Sequence, residues 1–145
     1  MKTVVGLFFA IVLLMINAAC KSNQTKNHER VGRWKVKMRY EDQIQTIHAK
    51  YNRKGFGKGI WQYRLGGKLY KREAYSKEGI CYVTTYYTDG TTESIGQTKL
   101  DLKGTRIHWY YTGDWFYFDE EGKLKTVRNY KNGELIRETL INKQQ

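Results

Sequence analysis

One short unit is written twice in this chain. Gly59-x-Trp61-x-Tyr63, Gly67-Lys68-Leu69, Tyr75 and Gly79 recur as Gly113-x-Trp115-x-Tyr117, Gly122-Lys123-Leu124, Tyr130 and Gly133. Two eroded copies accompany them: Gly32-x-Trp34-x-Val36 with Tyr51 and Gly55, and Gly79-x-Cys81-x-Val83 with Gly90, Leu100 and Gly104. A block this small cannot bury its own apolar face, so copies must stack side by side and share a core. Within each block Trp and Tyr fall on alternate positions, which puts them on one face of a strand. Leu69 with Tyr75, and Leu124 with Tyr130, continue that stripe across the following turn, with Lys71 and Glu73, or Thr126 and Arg128, interrupting it. Trp61, Tyr63, Tyr75, Trp115 and Tyr117 are accordingly expected to be structural.

The rest of the pattern points the same way. The chain has no Pro, no sustained spacing of three and four between apolar residues, and runs rich in Tyr, Trp, Thr, Val and Ile bounded by Gly, which is the signature of strands. Nine runs are expected: 33–40, 44–51, 59–64, 68–75, 80–87, 106–111, 115–118, 124–130 and 134–141. Gly66-Gly67, Asp89-Gly90, Glu121-Gly122 and Asn132-Gly133 place glycine where tight hairpins need positive φ, Asn132-Gly133 being the strongest of them. Residues 91–99 read either as a strand with a bulge at Gly96 or as a loop. The fold class is all-β, an antiparallel meander of repeated hairpins.

The first residues have a different character. Lys2 precedes an uncharged apolar run from Val4 to Ile16 and then Asn17-Ala18-Ala19-Cys20, the charge, length and small-residue end of a secretory signal. Residues 1–19 are read as that signal, residues 20–30 as a disordered tether and residues 31–142 as one β-repeat domain. The tether expectation rests on Lys21 to Arg30 offering no aliphatic or aromatic side chain to bury. Ala18-Ala19-Cys20 resembles a bacterial lipobox of the looser Bacteroidota type, which implies lipidation of Cys20 and a place in the cell envelope, on the outer membrane. The alternative is ordinary cleavage after Ala18 or Ala19, leaving a thiol that pairs with Cys81; with one cysteine in a tail and the other in a repeat slot, a lipidated Cys20 and a buried Cys81 is the simpler account.

The formal charge is +12, or +11 without Lys2, and it favours anionic partners in general. Export argues against intracellular nucleic acid, and lysines and arginines spread through every strand read as a solvated surface. No constellation for catalysis is visible. His28, His48 and His108 stand apart from one another and from any cysteine at metal-ligand spacing. Cys81 lacks a positioned histidine and fits a buried, inert thiol. Asp119-Glu120-Glu121 lacks the spaced oxygens of a calcium loop and fits a hairpin tip. The expectation is a protein that is not an enzyme and has no metal or cofactor.

The run from Gly113 to Leu124 with Tyr130-Lys131-Asn132-Gly133 resembles the bacterial variant of the MORN repeat. The resemblance is good over 113–133 and 59–79, fair over 79–104 and poor over 32–55. It implies a twisted open sheet of stacked hairpins that binds proteins or membrane surfaces, in a protein-interaction or scaffolding role, with no catalytic residues. Antitoxin-like or immunity partners of toxins also carry such repeats. Gly32-Arg33-Trp34 at the start of the first strand resembles instead a small lipocalin-like lipoprotein, a closed β-barrel holding a small ligand; recurrence of Gly-x-Trp at Gly59 and Gly113 favours the open repeats. Aromatic residues fall on both faces near the C-terminal half: Trp109, Tyr111, Trp115 and Tyr117 on one parity, Tyr110, Phe116 and Phe118 on the other. Trp109, Tyr111, Phe116 and Phe118 are the candidate aromatic interaction surface.

Overall fold

The computed structural model describes residues 21–101 and 108–141, so the apolar N-terminal run and Cys20 lie outside the described residues. Ten strands follow one another: β1 (Gln24–Lys26), β2 (Glu29–Tyr40), β3 (Gln43–Tyr51), β4 (Gly59–Leu65), β5 (Lys68–Tyr75), β6 (Ile80–Tyr86), β7 (Thr92–Asp101), β8 (His108–Phe118), β9 (Leu124–Lys131) and β10 (Glu134–Leu140). They form a single sheet in which spatial order equals chain order. Every neighbouring pair is antiparallel. β1 and β10 do not pair with each other, so the sheet is an open meander. The lipocalin-like barrel is thereby corrected: each hairpin finds its partner in the next hairpin, and nothing brings the ends together to close.

Turn chemistry sets the register where it was expected to. Asn132 and Gly133 both have positive φ, 52° and 89°, the geometry of the two-residue turn whose twist matches the flanking strands. Two differences from the sequence reading have local causes. Residues 24–26, inside the stretch expected to be a tether, pair with β2. They need no apolar side chain for this, because Asn27 and His28 take positive φ to close a tight hairpin and the Trp34 indole Nε1 donates to the carbonyls of Gln24 and Val31, each at 3.1 Å. The second difference is that residues 108–111, the described part of the run expected at 106–111, and the run expected at 115–118 belong to one strand, β8. Its pairing with β7 shifts between Ile95 and Gln97, and Gly113 with φ +67° carries the chain through this irregularity. β7 itself is a strand, with Gly96 inside that bulge.

Register decides which side chains meet. One face, here the inner face, collects Trp34, Trp61, Tyr63, Tyr75, Cys81, Val83, Trp109, Trp115 and Tyr117 from successive strands. Its driest part is a cluster of Cys81, Val83 and Trp115, with Tyr75, Trp109, Tyr117 and Tyr130 packed against it. Small residues floor this region on β6 and β7: Cys81 pairs with Thr98, Val83 with Gly96 and Thr85 with Ser94. Large rings lean over the floor from both sides. Tyr75 of β5 and Trp109 of β8 meet edge to face at 5.5 Å between centroids although two strands separate them. This explains why the third copy has cysteine in its tryptophan slot: rings from the neighbouring copies already occupy the space above it. Each buried ring contributes on the order of 1.5–3 kcal/mol through its area.

Candidate functional site

Two surfaces carry chemistry, one on each face of the sheet. On the inner face a trough of about 490 Å³ runs between β4 and β8 across the small-residue floor. At its centre the Glu73 side chain accepts three bonds. The Tyr63 hydroxyl donates to Oε2 at 2.6 Å and the Tyr75 hydroxyl to the same oxygen at 2.7 Å; the Lys71 ammonium donates to Oε1 at 2.9 Å. Lys71 also lies 3.9 Å above the centre of the Tyr63 ring, adding a cation–π contact to the ion pair. The cluster arises because Lys71 and Glu73 alternate on β5 and sit opposite Tyr63 and Trp61 of β4. What the sequence presents as an interruption of the apolar stripe is where the tyrosine hydroxyls find their acceptor.

Burial and the Glu73 charge disfavour ionisation of the neighbouring acids. Desolvation first, then the hydrogen bond and charge of Glu73, push the Tyr63 phenol upward; desolvation followed by the charge and hydrogen bond of Glu73 do the same to Tyr75. Burial, with Glu73 next, pushes the Cys81 thiol up to about 12. A thiol held protonated at neutral pH is a poor nucleophile. These three groups release protons later in the folded chain than in the unfolded one, so their contribution is fully present below the unfolded values, near 9 to 10, and is lost as pH rises toward the folded ones. Stability is therefore expected to fall above about pH 9, by up to about 1.4 kcal/mol per pH unit for each group; urea midpoints measured from pH 7 to 11 check this, and a flat profile would contradict it. Among the described residues no group of three or more His, Cys, Asp or Glu side chains is placed to hold a metal ion. His48 faces outward opposite Lys35 and Gln62, and His108 sits against Tyr110.

The four aromatic residues singled out in the sequence are not brought together. Trp109 packs on Tyr75, and Tyr111 stacks on Trp115 at 4.3 Å while meeting Tyr130 at 5.2 Å; both belong to the inner face. Phe116 points to the other side, between Ile95 and Val127, and is 38% exposed. Phe118 ends β8, where its carbonyl accepts the Tyr87 hydroxyl at 2.7 Å.

The outer face is electrically uneven, which the spread of basic residues along the chain conceals. Residues 31–75 contain twelve Lys or Arg against three acidic residues, whereas residues 76–141 contain nine against ten. Register gathers seven of the first group, Arg33, Lys35, Lys37, Arg39, Lys50, Arg64 and Arg72, on the outer side of β2 to β5. Lys35, His48, Gln62 and Arg72 form one cross-strand row, Lys37, Thr46 and Arg64 another, and Arg33 pairs with Lys50. None of β2 from Arg33 onward, β3 or β4 contains an acidic residue, so this face presents cations alone. The sequence signal for it is the alternation Arg33-x-Lys35-x-Lys37-x-Arg39, legible as a strand with one basic side. No family model matches the chain, and no curated protein or solved structure matches it at a significant level.

Proposed function

We propose that the chain is an exported, lipid-anchored protein of the cell envelope whose stacked hairpins serve as a protein-interaction module and perform no chemistry. The observation that carries this reading is the open sheet itself. Its inner polar groups are occupied by one another, as Glu73 is by Tyr63, Tyr75 and Lys71, which leaves the outer face and the two sheet edges as the surfaces offered to other molecules. The apolar run from Val4 to Ile16 followed by Asn17-Ala18-Ala19-Cys20 supports export and anchoring, and the resemblance of Gly113 to Gly133 to MORN-type repeats supports the interaction role.

The anchor is tested by metabolic labelling. Radiolabelled palmitate is expected in the parent chain and absent after Cys20→Ser; label persisting in the variant excludes Cys20 as the acylated residue. The interaction role is tested by affinity capture of envelope proteins on the immobilised chain. Recovery of nothing above a charge-matched control protein would contradict it.

A further inference from the structure

The edge of the sheet at β2 is only half covered. β1 pairs with the first residues of β2, and Asn23 extends the coverage: its backbone N–H donates to the carbonyl of Arg33 at 2.8 Å, while its side chain accepts from the Lys35 N–H at 2.7 Å and donates to the Lys35 carbonyl at 3.0 Å. Those bonds fix which backbone groups point to this edge. Arg33 and Lys35 do, so by the two-residue period of a strand Lys37 and Arg39 do as well. Among the described residues, no strand pairs with the edge beyond Lys35. A row of unsatisfied backbone donors and acceptors is a template for another strand.

The side chains flanking that row say what the strand must be. On the outer side stand Lys35, Lys37 and Arg39, with Arg64 behind them on β4 and no acidic residue in β2 from Arg33 to Tyr40. On the inner side stand Val36, Met38 and Tyr40, the last two 44% and 56% exposed. An added strand would place its own alternate residues beside these two rows. From this juxtaposition we propose that residues 36–40 take up an extended segment of a partner protein in which acidic and apolar side chains alternate, added edge to edge as a strand. Main-chain bonds would supply affinity and the alternating rows specificity. Glu41 and Asp42 at the β2–β3 tip would repel further acidic residues, so the segment stops there.

The inference rests on the interaction role proposed above, and its test separates the two. A fluorescein-labelled synthetic peptide alternating Glu and Val is titrated against the full chain in detergent, followed by anisotropy. Expected is saturable binding that the double variant Lys37→Glu, Arg39→Glu weakens about tenfold or more, while Lys125→Glu on β9 leaves it unchanged. Both β2 side chains are exposed, so charge reversal there spares the core; an unchanged far-ultraviolet circular dichroism spectrum verifies it. A peptide of the same composition with Glu and Val in blocks, and an alternating peptide N-methylated on every residue, are each expected to lose binding. Equal binding of the blocked or N-methylated peptide would overturn strand addition, and binding to phosphatidylglycerol vesicles without binding to the alternating peptide would overturn the choice of partner. Should the double variant capture the same envelope proteins as the parent, the interaction role would stand and this edge would not be its site.

Discussion

Gly96→Ala is expected to unfold the centre of the sheet. A Cβ built at Gly96 would lie 2.0 Å from Cδ2 and 2.5 Å from Cγ of Trp115, so the indole rests directly on the β7 backbone. Gly96 is not among the positions with positive φ; alanine suits its backbone, and the whole penalty comes from the ring above it. The Trp115 indole cannot move aside without breaking its Nε1 bond to the Gln97 carbonyl, 3.0 Å long, and leaving Cys81 and Val83 uncovered. Displacing it forfeits the burial of a large ring, about 3–5 kcal/mol, a large fraction of the stability of a chain of this size. Urea denaturation followed by tryptophan fluorescence measures the loss. The mechanism makes a second demand: in a Trp115→Ala background the same Gly96→Ala change should cost little, because no ring remains to collide with it. Two additive penalties would refute the direct contact.

Glu73→Ala is expected to be the next most damaging change, at about 3 kcal/mol. The side chain of Glu73 is 14% exposed and that of Lys71 29%. Truncation leaves the ammonium in a half-dry trough without its carboxylate and strands the hydroxyls of Tyr63 and Tyr75. Removing one partner of a buried polar cluster costs more than replacing the cluster with apolar groups. The double variant Lys71→Met, Glu73→Leu should therefore recover much of what Glu73→Ala loses. Thermal melts of the two variants check the prediction, and a double variant less stable than the single one would contradict it.

How much of this was legible in the sequence depends on the range of the interaction that decides it. The strands, their faces and the Asn132-Gly133 turn are written in neighbouring residues, and the recurrence of Gly-x-Trp carries the open stacking. Local patterns do not contain register. Gly96 reads as a weakness in an uncertain strand because its partner, Trp115, becomes visible only once β7 is set against β8. Glu73 reads as an interruption because the hydroxyls it serves come from another strand and from its own neighbour two residues on. Residues 24–26 read as tether because what holds them is backbone pairing and the Trp34 indole, neither of which appears in their own composition. The four aromatic residues near the C-terminal half divide by parity in the sequence itself, but that the Trp109 ring is taken up by Tyr75 of β5 becomes visible only in the folded sheet. The basic side of β2 is written in the alternation Arg33-x-Lys35-x-Lys37-x-Arg39, but its continuation onto Lys50 and Arg64 exists only once β3 and β4 are aligned with it.

The identity of spatial order and chain order has a consequence for how the protein comes into being. Each strand finds its backbone partner in the strand before it, and topologies dominated by such near-neighbour pairings close quickly. A polypeptide that emerges end-first during synthesis exposes its N-terminal hairpins while the remainder is still to come. In this sheet β1 to β3 can zip together as they emerge and hand a finished edge to β4, and so on to β10, each new hairpin sheltering the last. The trough assembles only when β8 arrives to cover the small residues of β6 and β7, which makes the second complete copy of the repeat the part that completes the trough and not a spare of the first.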